Sequence, residues 1–221
     1  MGFLSRHGII AAGQVKAKVA PVYVGNAFGT GKTVSLPTHQ TGDLLIVAIT
    51  GYFNNGGATA PGGWTVLLNT TPADNGILCY KVAASSGETC VWTSTKTWNT
   101  ANTAICVRGA NPTTPINVYA LGAIRTYDYA GSLPTVTTTV DKTAILNIDG
   151  TNDMDGFARC SAITNAALSS IVKISDQTNG NGGCVASFAT KDVAGVVGAT
   201  AYTFTQLTAE VFQATIAINP L

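Results

Sequence analysis

The feature that most constrains the fold of this sequence is a series of short apolar or alternating segments, each followed by a turn signal. Turn signals such as Asn54–Gly57, Asp74–Gly76 and Asn179–Gly183 recur along the chain. Segments such as Val211–Ile216 alternate apolar and polar residues, which is the period of a half-buried strand. The pattern predicts an all-β fold, a β-sandwich or jelly-roll-like single domain, preceded by an extended N-terminal arm.

The predicted strands begin after Asp43 and continue to the C-terminus. No composition break marks a linker, so residues 25–221 are assigned to one β-sandwich domain. A single modest helix is predicted, at Ala162–Ser169. The strands are Leu44–Thr50, Trp64–Asn69, Ile77–Ala83, Thr89–Thr95, Thr103–Val107, Val118–Leu121, Val136–Val140, Ala144–Ile148, Ile171–Ser175, Cys184–Ala189, Tyr202–Thr205 and Val211–Ile218.

The low charge of the chain excludes several classes of protein. Only 10% of the residues are charged, 46% are hydrophobic, and 12 basic residues nearly balance 11 acidic ones. A disordered chain needs more charge, and a nucleic-acid-binding protein needs a basic excess. No apolar run approaches the roughly 20 residues of a membrane-spanning helix. So few surface charges are typical of a protein covered by copies of itself or by partners.

The first 24 residues are predicted to form an extended basic arm. Residues 1–42 carry four basic and no acidic residues, whereas residues 43–221 carry eight basic and eleven acidic ones. The arm's candidate anchoring residues are Arg6, Ile9, Ile10, Lys16 and Lys18. A segment opposite in charge to its own domain suits docking onto a neighbouring subunit or an acidic lattice. The alternative is a flexible tail whose charge is incidental.

The five cysteines do not predict a zinc site, because no two of them form a C-x-x-C pair. We expect buried, reduced thiols, although Cys79 and Cys90 remain candidates for a disulfide across a hairpin. The acidic segment Asp149–Asp155 lacks the spacing of an EF-hand. It is interpreted as a solvated turn, with an irregular calcium site as the alternative. No metal or other cofactor is predicted.

No catalytic set is predicted. The segment Gly25–Thr33 lacks the first glycine of a phosphate-binding loop and is interpreted as a glycine-rich turn between two strands. The histidines, His7 and His39, lie in the N-terminal segment outside the predicted core strands, and no G-x-S-x-G motif is present. The chain is therefore predicted not to be an enzyme.

Aromatic side chains supply the candidate ligand contacts. Trp64 opens an apolar strand and is expected to pack in the core. Trp98, between two predicted strands, and Tyr127 and Tyr129, in a predicted polar loop, are candidate exposed rings for stacking against a glycan.

Several segments in register resemble a β-sandwich module common in virion proteins of tailed bacteriophages. The resemblance covers roughly residues 25–220. It implies a turn at Asp43 before a buried strand, a turn that delivers Trp64 into the core, and an Arg108 that braces a loop or pairs with a carboxylate. The matching segments are Gly42–Ala48, Pro61–Leu67, Tyr80–Ala83, Ala104–Gly109 and Ala214–Ile218.

The resemblance implies a structural or binding role on the virion. A short chain with a basic arm and no shaft repeat favours a capsid decoration (cement) protein, with the arm on the major capsid protein or another virion subunit. The expected protein is a homo-oligomer, with a trimer favoured, on the exterior of the virion after assembly in the host cytoplasm. No nucleic-acid or membrane partner is expected. The alternative is a short tail fibre or tail-tip module that binds a host surface glycan.

Overall fold

The described part of the chain is built entirely from β-strands. The computed structural model describes residues 17–52, 57–70, 76–94, 98–122, 127–151, 160–179 and 182–221. No helix occurs in these ranges, which confirms the predicted all-β class and leaves no helix long and apolar enough to cross a membrane. The strands are β1 Val22–Thr30, β2 Leu44–Tyr52, β3 Ala58–Thr59, β4 Thr65–Asn69, β5 Gly76–Val82, β6 Thr93–Ser94, β7 Trp98–Arg108, β8 Ile116–Leu121, β9 Tyr127–Leu133, β10 Val136–Thr138, β11 Thr143–Thr151, β12 Cys160–Thr164, β13 Ser169–Thr178, β14 Gly183–Lys191, β15 Gly195–Val197 and β16 Thr200–Ile218.

Two antiparallel sheets face each other across the main core. The front sheet has the order β1-β7-β2-β5-β4. The back sheet has the order β12-β16-β11-β14-β13, and β8 and β9 also pair with β16. Contacts of β1 with β13, β7 with β14 and β2 with β11 place the two sheets face to face. Between them lie apolar side chains from both sheets, including Leu44, Ile46, Leu78, Ile105, Leu146, Ile148, Phe188, Phe212 and Ile216.

The burial of strand β2 on both faces explains why this segment of the sequence is a continuous apolar run. Its alternate residues Leu44, Ile46 and Ala48 face the core between the sheets. The residues between them, Leu45, Val47 and Ile49, face the opposite side and are also fully buried. A strand covered on both faces has no reason to alternate apolar with polar residues.

An apolar outer layer covers the front sheet. It contains Val34, Trp64, Cys79, Cys90 and Trp92, packed on the outward side chains of β2. The indole nitrogens are satisfied locally, since Trp92 Nε1 donates to Gly31 O at 3.0 Å and Trp64 Nε1 donates to Thr89 O at 3.3 Å.

A mixed outer layer covers the back sheet, with a buried polar network and two apolar clusters, one that includes Leu133 and Phe204 and one that includes Val136 and Val197. Tyr202 and Gln213, both in β16, are in hydrogen-bond contact although eleven residues separate them. A straight strand would hold them about 36 Å apart, so β16 folds back over the sheet. Below the fold, buried Asn147 bonds Ser187, Thr200 and Thr215. The short pair β10–β15 completes the cover, with Val136 and Val197 packed on Ile145 and Ala217.

Several sequence predictions are wrong in detail. The predicted helix at Ala162–Ser169 is absent. Its first residues belong to β12, and Asn165 Oδ1 then accepts from Ala167 N at 2.8 Å in a turn before β13. Within the predicted strand Thr89–Thr95, the described residues 89–94 contain only β6 and an isolated bridge at Val91. The two last predicted strands are parts of the single strand β16.

The N-terminal boundaries also differ from the prediction. Strand β1 begins at Val22, so the end of the predicted arm, residues 22–24, belongs to the front sheet. The glycine-rich segment predicted as a turn continues β1 to Thr30, with a register shift between Tyr23 and Gly25. The turn itself is confined to Gly31 and Lys32, where Gly31 has a φ of 88°.

Candidate functional site

The root of the predicted arm leaves the front sheet at one end of the sandwich. Arg6, Ile9, Ile10 and Lys16 lie outside the described residues. Residues 17–19 are described and exposed, and they include the last candidate anchoring residue, Lys18. The arm therefore enters the sandwich through Pro21, which is buried, and continues directly into β1.

Both described chain ends meet at this end of the molecule, which we call the arm end. Val22 pairs with Arg108, the last residue of β7, and Pro21 lies against the neighbouring Gly109. The backbone amide of Leu221 donates to Gly109 O at 2.9 Å. Gly109 has a φ of 79°, a left-handed conformation that glycine adopts without a steric penalty.

Exposed valines mark the arm root. Val19 is 71% exposed, Val22 52% and Val24 37%. Val22 pairs with Arg108 at the start of β1, and Val24 lies in the register shift between Tyr23 and Gly25. Exposed valines on an edge strand, next to a basic segment, offer both apolar area and charge to another protein surface.

An ion pair braces the arm end from inside. Arg108 Nε and Nη2 donate to the two carboxylate oxygens of Asp43 at 2.9 and 2.8 Å. Gln40 N and Cys106 Sγ also donate to Asp43, at 2.9 and 3.5 Å. Burial alone would raise the pKa of Asp43, but these hydrogen bonds and the Arg108 charge together lower it. The pair ties the start of β2 to the end of β7.

The sequence had singled out both partners of this ion pair and Trp64. Asp43 is 1% exposed, and Trp64 lies in the apolar outer layer. Asp43 and Arg108 act as a brace, and Trp64 is a core packing residue.

The three candidate glycan-binding aromatics are only partly described. Trp98 begins β7 and pairs with Tyr52, about 33 Å along the strand from Arg108. Tyr127 and Tyr129 lie in β9, which pairs with β16, and not in the predicted loop. Trp98 therefore belongs to the front sheet and the tyrosines to the back sheet. Their side chains lie outside what the structure describes, so the glycan contact stays a prediction.

The cysteines are free, buried thiols in the structure. Burial raises the pKa of Cys90 and of Cys184 to about 12, and it raises the pKa of Cys79 further. A thiol that stays protonated is a poor nucleophile and a poor metal ligand. Within the described ranges no group of His, Cys, Asp and Glu residues could hold a metal ion. Asp149 is buried in β11, and residues 152–155 of the candidate calcium segment lie outside the description.

A cleft of about 410 Å³ opens beside the apolar outer layer, between residues 33–39 and 86–90. Val34 N donates to Cys90 O at 2.9 Å and joins its two walls. His39 lines the cleft and is only 9% exposed. Sequence reasoning placed His39 outside the core and gave no signal for the cleft, because its walls are joined only in the folded chain.

Comparisons of the chain with protein-family models, curated proteins and solved structures gave no match. The case for a function therefore depends on the residues and on the geometry of the arm end and the cleft.

Proposed function

We propose that this chain is a non-enzymatic structural protein of a tailed-bacteriophage virion, a decoration protein that sits on the outside of the capsid. The N-terminal segment, residues 1–24, binds the major capsid protein or another virion subunit. The β-sandwich is the body that this segment holds in place.

The observation that carries the proposal is the construction of the arm end. The described root of the arm is exposed at Lys18 and Val19 and continues as exposed valines on an edge strand. The charge of this segment also favours binding to another protein surface, because the first 42 residues have four basic and no acidic residues. The bidentate Asp43–Arg108 ion pair joins the start of β2 to the end of β7. Strand β1, which continues the arm, pairs with β7, so a force that pulls on the arm is transmitted to these paired strands.

The body fits a passive role. Each main sheet is covered on its outer face, the front sheet by the apolar outer layer and the back sheet by the mixed outer layer. Its largest described core cluster spans both sheets. Antiparallel pairing joins every pair of neighbours in the two main sheets, so local loads are shared among many hydrogen bonds.

Self-association is part of the proposal, with a homotrimer as the favoured form. Strand β1, an edge of the front sheet, has no charged residue among Val22–Thr30. Proteins that must stay monomeric usually protect a long edge strand with charge or proline. A second copy or a capsid segment can therefore approach this edge without burying a charge.

Deleting the arm tests the proposal. Particles that lack the protein are mixed with either the full chain or a chain without residues 1–20, and bound protein is measured after the particles are sedimented. We expect the full chain to decorate the particles and the deletion variant to lose at least nine-tenths of its occupancy, because the anchoring residues are gone.

A matched control keeps the arm and changes an exposed apolar residue beyond the opposite end of β1, Val91→Ser, which pairs with Thr33. This variant should bind like the full chain. Full occupancy by the deletion variant, with its thermal unfolding unchanged, would contradict the arm as the anchor.

The rival function is a short tail fibre or tail-tip module that recognises host surface glycan. Its supporting observation is the position of Trp98 at the end of β7 opposite the arm end. Under this alternative, purified protein binds host cells and Trp98→Ala abolishes the binding. Under the decoration proposal, cell binding is absent or insensitive to that substitution.

A further inference from the structure

His39, which lines the cleft between residues 33–39 and 86–90, has a buried ring nitrogen without a hydrogen-bond partner among the described residues. His39 Nδ1 lies 2.7 Å from Pro37 O. A carbonyl oxygen only accepts, so Nδ1 donates this bond, and in the tautomer with its proton on Nδ1 the Nε2 atom presents a lone pair. Among the described residues nothing donates to Nε2, which is itself buried. A buried acceptor without a donor costs free energy, and a ligand that supplies the donor recovers it.

The charge at the cleft is already balanced. Glu88 lines the cleft, and its Oε2 accepts from Lys81 Nζ at 2.5 Å while its Oε1 accepts from Ala84 N at 2.7 Å. These bonds, led by that from Lys81, lower the pKa of Glu88 and keep it ionised. A cation would have to compete with Lys81, and an anion would meet the carboxylate. The cleft therefore favours a neutral ligand.

The remaining described lining is amphipathic. Hydroxyl groups of Thr38 and Thr89 border the cleft and can each donate and accept. Val34, Leu36 and Pro37 add an apolar wall. A volume of about 410 Å³ lies within the ~300–1,000 Å³ range of small-molecule sites.

We propose that this cleft binds a small neutral ligand carrying several hydroxyl groups, of the size of one sugar ring. One ligand hydroxyl donates to His39 Nε2. Others exchange hydrogen bonds with the threonine hydroxyls, and the C–H face of the ring packs on Leu36 and Pro37. The cleft adjoins the arm end, since Pro37 lies against Gly25 of β1 and Gln40 N donates to Asp43, but its lining residues are not among those proposed to anchor the arm.

Saturation-transfer NMR on the full chain tests this inference, with glucose, galactose, N-acetylglucosamine and myo-inositol as probes at millimolar concentration. At least one probe should bind saturably. The critical variant is His39→Asn, because the Asn amide can still donate to Pro37 O but has no counterpart of Nε2. We expect its affinity for that probe to fall at least tenfold.

A second variant, Thr89→Val, removes a hydroxyl group without changing the side-chain shape and should weaken the same probe several-fold. Thr137→Val, an exposed position on β10 far from the cleft, is the matched control and should leave binding unchanged. Each variant is first shown to have the thermal midpoint of the parent chain.

Absence of saturable binding for all four probes would overturn the inference. So would binding that survives unchanged in both His39→Asn and Thr89→Val. Capsid decoration measured on His39→Asn separates this result from the proposed function, since decoration should stay at the level of the parent chain.

Discussion

The outer faces of the two sheets are covered by different chemistry, apolar on the front sheet and a polar network beside two apolar clusters on the back sheet. The front sheet carries Trp64 and Trp92, which are 8% and 0% exposed. The back sheet instead carries Asn147, whose amide group bonds hydroxyl groups on both neighbouring strands and on the fold-back of β16. Apolar cover contributes free energy in proportion to the area that it removes from water. A polar network contributes less net free energy but fixes the relative position of the groups that it joins.

The comparison of the two covers shows which kind of cover loops can form and which kind requires a strand. The front cover comes mainly from irregular segments around residues 31–41 and 84–92, and apolar side chains tolerate such variable geometry. The back cover needs Thr200 and Tyr202 at fixed distances from Asn147 and Gln213. Pairing with β9 and β12 supplies that precision. We therefore expect the apolar side chains of the front cover to contribute more to stability than the polar network of the back cover, which fixes the geometry of β16.

The largest effect should come from the front cover. Trp92→Ala removes a fully buried ring and its hydrogen bond to Gly31, and it should lower the free energy of unfolding by about 3–5 kcal/mol. Denaturant unfolding measures the loss. The neighbouring Val91→Ala is the control, because Val91 is 49% exposed and should cost little. Equal losses in the two variants would contradict the assignment of Trp92 to the core.

The central residue of the back cover should have a smaller effect. Asn147→Ala leaves the buried hydroxyl groups of Ser187 and Thr215 without this partner, which should cost about 2 kcal/mol. Amide hydrogen exchange should accelerate in residues 200–205 more than in β2. A loss as large as that of Trp92→Ala, without this local effect, would erase the contrast between the two covers.

The ion pair at the arm end is a polar exception at the border of the front cover. Asp43→Asn keeps part of the hydrogen bonding to Arg108 and should cost about 1–2 kcal/mol at neutral pH. Because the folded-state pKa of Asp43 is lowered, its contribution is complete above pH ~4, the usual pKa of an aspartate. The contribution is lost as the pH falls through the lower folded-state value.

Unfolding curves of the parent chain and of Asp43→Asn, recorded from neutral pH down to about pH 2, measure this dependence. The difference between the two chains should be constant at neutral pH and shrink in acid. A difference that grows as the pH falls would mean that the carboxylate is not stabilised by its partners.

The smallest effect is expected from a single hydroxyl group in the polar network of the back cover. Thr215→Val keeps the side-chain shape and removes one hydrogen bond to Asn147 Oδ1, which also accepts from Thr200. The cost should stay below about 1 kcal/mol. Chemical denaturation resolves it, and a cost near that of Asn147→Ala would show that the network acts as one unit.

The sequence predicts the strand-rich fold well where one face or both faces of a strand are apolar. Leu44–Thr50 and Val211–Ile218 are examples, because burial leaves a pattern in the residues themselves. The helix predicted from Ala162 fails because Asn165 bonds Gly198 and Thr200, partners that only the fold brings near. The fold-back of β16 likewise has no local signature.

The candidate sites also divide into features that the sequence predicts and features that only the folded chain creates. Asp43 and Arg108 stand out in the sequence, but their pairing depends on the register that sets β2 beside β7, more than sixty residues apart. The environment of His39 is set by Pro37 and by the distant segment 86–90. The basic charge of the N-terminal segment can be predicted from the sequence alone, because it does not depend on any tertiary contact.

Electron microscopy of the phage particle is the most direct test of the central claim that the arm end attaches this domain to the capsid. The account predicts sandwich-shaped density over the head shell, with Gly109 and Leu221 facing the shell and Trp98 facing outward. Density on the tail, or on the head with the Trp98 end against the shell, would contradict it.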